Sequence, residues 1–164
     1  MSDLRIPIAY DNWATETLVD FCLGLTPQQL ELTTPGTMGT VKATLIHLVA
    51  AKERYGASLA GSQAPAEAIR ETTTTDLGPV KARSKVLSGF FDEFAGGTID
   101  LDATIERRAA DGTVQKMPMW VLLAQFLHHG NEHRAQLGSI FGAHGIEAPG
   151  YSAFNWAQSL GKFA

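Results

Sequence analysis

Two histidines in the last third of the chain have the spacing of a metal-binding pair. His129 and His133 lie four residues apart in the segment FLHHGNEHRAQLGSIF. On an α-helix, residues i and i+4 project from the same face about one turn apart, and two imidazoles so placed can bind a single metal ion. The pair falls on the same line as the apolar residues Phe126, Leu137 and Ile140. We therefore predict that both histidines face the protein interior.

A third ligand must come from another segment, and His47 is the candidate. It lies in the segment LIHLVAAKERY, on a helical face that also contains Thr44, Leu48, Ala51 and Tyr55. Two facing helices of a bundle would bring three nitrogens to one point. An imidazole buried without a partner costs on the order of 1 to 3 kcal/mol, so each histidine needs a metal ion or a hydrogen bond in the core. The spacing leaves both roles open.

The other histidines and the single cysteine are predicted to have roles outside this site. His128 projects about 100° round the helix from His129, which places it on a flank. His144 stands at the end of the same helix, where an imidazolium suits the helix dipole. Cys22 lies four residues after Leu18 on an apolar face, so we expect a small buried apolar residue and no nucleophile.

Four segments with a helical repeat of apolar residues predict the elements that position the histidines. Asp76 is a suitable N-cap for the third helix, and Pro118 is tolerated at the first position of the fourth. Pro27 is expected to stop the first helix. The predicted helices span residues 8–25, 40–59, 77–94 and 118–144.

The segment between the third and fourth helices is predicted to be extended. It contains β-branched residues and the pair Asp111-Gly112, which suits a tight hairpin turn. Residues 151–160 predict a short last helix. The predicted fold class is all-α, a four-helix bundle with a short hairpin or extended insertion before the last long helix and a short C-terminal helix, forming one domain over residues 1–164.

Composition and charge exclude several classes of partner. With 45% hydrophobic and 18% charged residues the chain has the composition of a globular protein, and its net charge of -4 offers no general attraction to nucleic acid or to anionic lipid. The pair Arg107-Arg108, beside Glu106, is predicted to lie on a solvated strand or loop. The longest apolar run, MPMWVLLA, is too short to cross a bilayer. We expect a cytoplasmic protein that acts on a small molecule.

The histidine segments, taken in order, resemble the DinB and YfiT-like superfamily of metalloenzymes. Those proteins are four-helix bundles with a histidine on the second helix and an H-x-x-x-H-R-x-Q motif on the last long helix. In this sequence the match falls on His47, His129 and His133, with Arg134 and Gln136 completing the motif. The opening segment YDNWATETLVD is also similar to the first helix of that family.

The resemblance implies a metalloenzyme whose ligands are His47, His129 and His133. Three histidines leave coordination positions open for water or substrate, and imidazole suits zinc, nickel, copper or ferrous iron. Some relatives are thiol S-transferases that join bacillithiol, mycothiol or glutathione to an electrophile, and a related group isomerises maleylpyruvate with a thiol. The expected cofactors are therefore a divalent metal ion and a low-molecular-weight thiol. The resemblance also implies a homodimer.

Two other functions remain open from the sequence. One is hydrolysis by a metal-activated water with Glu132 or Glu53 as base, although neither carboxylate is well aligned with the histidines. The other is a non-catalytic, stress-related binding module with an apolar mouth lined by Tyr55, Trp120 or Trp156, although aromatic residues at helical spacing also suit a core. No residue is assigned as the catalytic acid or base.

The polar residues beside the histidines are predicted to support the site to different degrees. A ligating histidine usually donates its second ring N–H to a neighbouring acceptor. Gln136, three residues after His133, is the best aligned for this role, ahead of Gln125 and Asn131. Arg134 falls beside the buried stripe, so a surface ion pair is preferred over contact with an anionic substrate.

Overall fold

Four long helices form the bundle in a computed structural model that describes residues 4–109 and 112–162. In order, the elements of these residues are α1 (Arg5–Leu23), α2 (Pro27–Leu30), α3 (Val41–Leu59), α4 (Leu77–Gly96), β1 (Thr104–Arg108), β2 (Val114–Pro118), α5 (Met119–Ala143) and α6 (Ala153–Ser159). The long helices are α1, α3, α4 and α5. The predicted all-α fold with a hairpin before the last long helix and a short C-terminal helix is confirmed.

The packing order of the helices places α3 beside α5. Both α1 and α3 pack against α4 and α5, so α1 and α3 lie on a diagonal of the bundle. Apolar side chains from all four helices fill the centre, where the Phe91 and Phe126 rings stack with centroids 4.3 Å apart. None of the helices described is long and apolar enough to cross a bilayer.

The starts of the long helices follow from their capping residues. The Asp76 carboxylate accepts a hydrogen bond from the Gly78 backbone N–H, which confirms Asp76 as the N-cap of α4. Thr40 caps α3 in the same way through the N–H of Ala43. Pro118 was predicted to be the first residue of α5. Its backbone is extended, with ψ 145°, so it is instead the residue before the helix.

The connection after α1 contains a short helix that was not predicted. α1 ends at Leu23, two residues before the predicted boundary. Pro27 does not merely stop a helix, because it is the first residue of α2. Thr26 and Gln29 form a reciprocal capping box around it, with Thr26 Oγ1 3.2 Å from the Gln29 backbone nitrogen.

The hairpin before α5 confirms the predicted extended segment. Its two strands are antiparallel, with Thr104 opposite Pro118 and Arg108 opposite Val114. Gly112 has φ 86°, in the left-handed region that favours glycine. Asp111, the other half of the predicted turn, lies outside the described residues. As predicted for the Arg107-Arg108 pair, these residues belong to a strand that is largely solvated.

The single cysteine is a core residue, as predicted. Cys22 is fully buried on α1 among apolar neighbours. Burial raises the pKa of its thiol to about 12, so the thiol stays protonated at neutral pH. This excludes the thiolate that a nucleophilic cysteine requires.

Candidate metal centre

The three predicted histidines converge on one point between α3 and α5. Nε2 of His129 lies 3.1 Å from Nε2 of His47 and 3.1 Å from Nε2 of His133. Ligand nitrogens of the three residues all lie within 4.8 Å of one another. Nitrogens bound tetrahedrally to one zinc ion would be about 3.3 Å apart. The spacing of the cluster is therefore close to that of three ligands of one ion.

Glu71 holds the far side of the His47 ring. Nδ1 of His47 lies 3.1 Å from Glu71 Oε1, and a carboxylate can only accept a hydrogen bond. Nδ1 therefore has the proton, and the Nε2 lone pair points to the other histidines. Arg54 fixes the carboxylate in turn by donating to both of its oxygens, at 3.0 and 3.1 Å. Sequence reasoning missed Glu71, which comes from the connection between α3 and α4.

Gln136 accepts a hydrogen bond from the outer ring nitrogen of His133, as predicted. The Met38 backbone N–H donates to Oε1 of Gln136 at 3.1 Å, which identifies that atom as the amide oxygen. Nδ1 of His133 lies 3.0 Å from the same oxygen and must be a donor. The Nε2 lone pair of His133 is therefore also directed at His129.

The donor set fits a divalent cation. Two Nε2 lone pairs face the Nε2 of His129, and a single proton on that atom could satisfy only one of them. Burial, then the neighbouring His133 and His47, lower the pKa of His129 from 6.5 to about 4. Burial and His133 also lower the pKa of His47, and the hydrogen bond to Glu71 opposes this shift. Both shifts favour the neutral form of His47 and His129 at pH 7, which is the form of imidazole that binds metal.

The cluster is closed on one side and open on the other. His133 is buried, whereas the side chain of His47 is 25% exposed and His129 is half-buried. The ring of Tyr55 packs edge-on against His129 with centroids 5.6 Å apart and forms one wall. Three ligands with an accessible side leave room for a substrate atom, which is the arrangement of catalytic sites and not of closed structural ones.

Arg134 corrects the prediction of a surface residue. Its side chain is 2% exposed, and its Nη1 donates to Asp11 Oδ1 at 2.5 Å and to Thr15 Oγ1 at 3.0 Å. The reason lies one turn earlier, at Gly130. A Cβ at Gly130 would stand 2.4 Å from Asp11 Oδ1, so the missing side chain admits α1 and its carboxylate to this face of α5.

The ion pair belongs to a buried polar network that links α1 to α3 and α4. Lys52 is fully enclosed and donates to Asp11 at 3.1 Å and to Asn12 at 2.6 Å. The amide of Asn12 donates to Asp92 at 2.8 Å and to the Ser88 carbonyl at 3.2 Å. Burial lowers the pKa of Lys52, and Asp11 opposes that shift. The sequence signal was a lysine among apolar residues on α3.

Neither carboxylate considered for hydrolysis reaches the histidines. Glu53 is buried but pairs with Arg83 of α4, with Oε1 2.6 Å from Nη2. Glu132 is exposed on α5. This agrees with the prediction that both are poorly aligned with the cluster.

The remaining histidines lie outside the cluster, as predicted. His128 is exposed on the flank of α5. His144 caps the end of α5, and its Nε2 lies 2.9 Å from the Thr33 carbonyl oxygen, to which it donates.

The three candidate aromatic residues do not form one mouth. Tyr55 and Trp120 line the same cavity, whose volume is about 540 Å³. Trp156 lies elsewhere, with its ring centroid 6.0 Å from that of Tyr10. Tyr55 also packs against Phe126, so it belongs both to the core and to the cavity wall.

The fold and the cluster together define a class of protein, a helical bundle in which three histidines lie close enough together to hold a metal ion. The chain belongs to the DinB family, whose model matches residues 1–159. Among curated proteins, none gives a significant match to the chain.

Proposed function

We propose that this protein is a metal-dependent thiol S-transferase, in which His47, His129 and His133 hold a zinc, nickel or iron ion. The proposed reaction joins a low-molecular-weight thiol to an electrophile. The observation that supports it is the convergence of three Nε2 atoms whose rings are oriented from outside by Glu71 and Gln136.

The side chains around the cluster have separate tasks in this proposal. A bound divalent ion supplies the positive charge that lowers the pKa of a thiol at neutral pH. Glu71 and Gln136 keep the rings in the tautomer that offers Nε2. Buried His133 closes the inner side to water, and the exposed edge of His47 admits the thiol. A carbon–sulfur bond forms while the bond from the same carbon to its leaving group breaks; the displaced group takes that electron pair, and the thiol proton passes to solvent.

The apolar cavity beside the cluster supports a place for the electrophile. Tyr55 lines it and also packs on His129, so the cavity and the cluster share a wall. Trp120, Leu122 and Met117 are among its other lining residues. An apolar body would be sheltered there while its reactive carbon faces the histidines. Hydrolysis is the weaker proposal, because Glu53 and Glu132 are both directed elsewhere.

Metal analysis is the first test. We expect about one divalent ion per chain in the wild type and in the control His128→Ala, and loss of the ion in His47→Ala and His133→Ala. A metal-free wild type whose thermal stability is indifferent to added zinc, nickel or iron would refute the proposal.

The reaction is then tested by mixing metal-loaded protein with a thiol and a chromogenic electrophile. Faster loss of the electrophile that requires both metal and thiol supports the transferase. Binding of the electrophile without product would favour the ligand-binding module instead.

A further inference from the structure

A second, polar cleft lies between the C-terminal end of α3 and the hairpin. Its volume is about 910 Å³, and all five residues of β1 contribute to its lining. Four arginines line it together: Arg54, Arg70, Arg107 and Arg108. Arg54 comes from α3, Arg70 from the connection that follows and the other two from β1. Segments distant in sequence thus bring four guanidinium groups to one cleft.

The charge of this cleft is opposite to that of the chain. Four of the 13 lysine and arginine residues line it, although the net charge of the protein is -4. Glu106 is the acidic residue that the described part of the chain contributes to the lining, and it pairs with Lys116 at 3.0 Å. Glu71 balances the charge of Arg54, so the positive charge of the cleft comes from Arg70, Arg107 and Arg108.

The strand arginines are held in place by neutral acceptors. Nη1 of Arg107 donates to Gln115 Oε1 at 2.9 Å, and Nη1 of Arg108 donates to the Gly112 carbonyl at 3.0 Å. Within residues 4–109 and 112–162, no carboxylate pairs with either group. A guanidinium has five N–H donors, so each retains donors for a planar carboxylate or a phosphate.

The cleft is connected to the histidine cluster through two residues. Arg54 lines the cleft and donates to Glu71 at 3.0 Å, and the same Glu71 oxygen lies 3.1 Å from Nδ1 of His47. A ligand bound along the cleft would therefore end next to the side chains that orient His47.

We propose that this cleft binds a small acidic molecule with two or more carboxylate or phosphate groups, recognised by Arg70, Arg107 and Arg108. The volume of this open cleft, about 910 Å³, suits a molecule of metabolite size. A long polyanion would extend beyond the cleft onto the rest of the protein. Because the net charge of the chain is -4, that surface would repel it. Binding itself does not depend on the metal. Only the role of this molecule as a substrate of the histidine cluster rests on the proposed function.

The test is a calorimetric titration of metal-free protein at low ionic strength. The probes are propane-1,2,3-tricarboxylate and inorganic pyrophosphate. They are added to the wild type, to the double variant R107Q/R108Q, to Arg70→Gln and to the control Lys85→Gln, which removes a positive charge from the exposed face of α4. Metal-free protein separates this test from the metal analysis, so that either proposal can fail alone.

We expect saturable binding of one probe per chain by the wild type. The double variant should bind at least about tenfold more weakly, because it lacks the charge-assisted hydrogen bonds of two guanidinium groups. Lys85→Gln should stay within about twofold of the wild type, since surface charges act weakly at a distance. The tighter of the two probes identifies carboxylate or phosphate as the natural group.

The proposal is overturned if neither probe saturates the wild type, or if R107Q/R108Q and Lys85→Gln bind alike. Circular dichroism and thermal melting check that the double variant is folded. If it is not, Arg70→Gln decides the question, because Arg70 is an exposed residue outside the helices and strands. Wild-type affinity in a folded Arg70→Gln would then refute the assignment.

Discussion

The outer ring nitrogens of His47 and His133 donate to acceptors that differ in charge. Glu71 offers His47 a carboxylate, whereas Gln136 offers His133 a neutral amide oxygen. A carboxylate increases the basicity of the imidazole that donates to it and so strengthens its bond to a metal. Arg54 partly neutralises the Glu71 carboxylate and keeps it in position.

Replacement of Glu71 by Gln should therefore weaken metal binding without abolishing it. We expect affinity for a divalent ion to fall about 10- to 100-fold, as for other groups that orient a ligating histidine. A competition titration against a chelating dye measures the change. Glu67→Gln is the matched control, since Glu67 lies in the same connection, is 66% exposed and is 3.6 Å from Arg83. Equal affinity of the two variants would show that Glu71 does not support His47.

The lowered pKa of His129 predicts a loss of stability in acid. Its pKa is about 4 in the folded metal-free protein, against the 6.5 of an unperturbed histidine, so the unfolded chain takes up a proton first as the pH falls. The free energy of unfolding contributed by this group is therefore fully present above pH 6.5, falls between pH 6.5 and 4, and changes no further below.

Urea denaturation of metal-free protein from pH 7 to pH 4 measures this effect. His129→Gln should show a shallower dependence on pH than the wild type. His128→Gln, which removes the exposed neighbour, should keep the wild-type dependence. Parallel curves for all three proteins would contradict the assignment.

At the scale of the helices, α5 makes functionally different contacts on two of its faces. One face presents His129 and His133 to α3, and the other presents Arg134 to α1. The second face depends on Gly130, where the Asp11 carboxylate occupies the space of a side chain. Close approach of α1 to α5 is thus encoded by the absence of one methyl group.

Gly130→Ala should destabilise the protein although alanine favours a helix. The higher helix propensity of alanine would by itself raise the free energy of unfolding by about 1 kcal/mol. Overpacking against Asp11 should cost about 1 to 3 kcal/mol and outweigh this gain, which leaves a net loss of up to about 2 kcal/mol in the free energy of unfolding. Gly142→Ala on the same helix, where a Cβ meets no atom within 4 Å, is the control and should be neutral or stabilising. Denaturant titration gives the free energy of unfolding of both variants. If Gly130→Ala is as stable as the wild type, α1 can shift away from α5 without cost.

The elements that carry the histidines could be predicted because their signals are local. The apolar repeat and the cap at Asp76 define the long helices within a few residues. Glu71 could not be found, because it reaches His47 across 24 residues of chain that include an irregular connection. The burial of Arg134 was mispredicted because an apolar stripe does not reveal that a glycine one turn away admits a carboxylate from α1.

For the molecule as a whole, the network around Asp11 joins the first long helix to the last. Asp11 accepts from Arg134 of α5 and from Lys52 of α3, and each of the three is at most 2% exposed. Removing one partner of a buried ion pair leaves the other charges uncompensated, which is far more costly than losing a surface pair.

Asp11→Ala should accordingly lower the free energy of unfolding by about 3 to 5 kcal/mol. The control is Asp20→Ala on the same helix, because Asp20 forms a surface pair with Lys81 in which both side chains are 55% exposed. That change should cost about 0 to 1 kcal/mol. Thermal and denaturant unfolding of the two variants give the comparison, and similar losses would show that the buried network is energetically unimportant.

The same ion pair has a consequence for the chain during its synthesis. Asp11 is made 123 residues before its partner Arg134. While α5 is still within the ribosome, the Asp11 carboxylate has Lys52 as a partner but not Arg134, and contacts so distant in sequence form slowly even afterwards. We therefore expect the contact between α1 and α5 to form last, after α1 can already pack against α4 and Asp11 can already pair with Lys52.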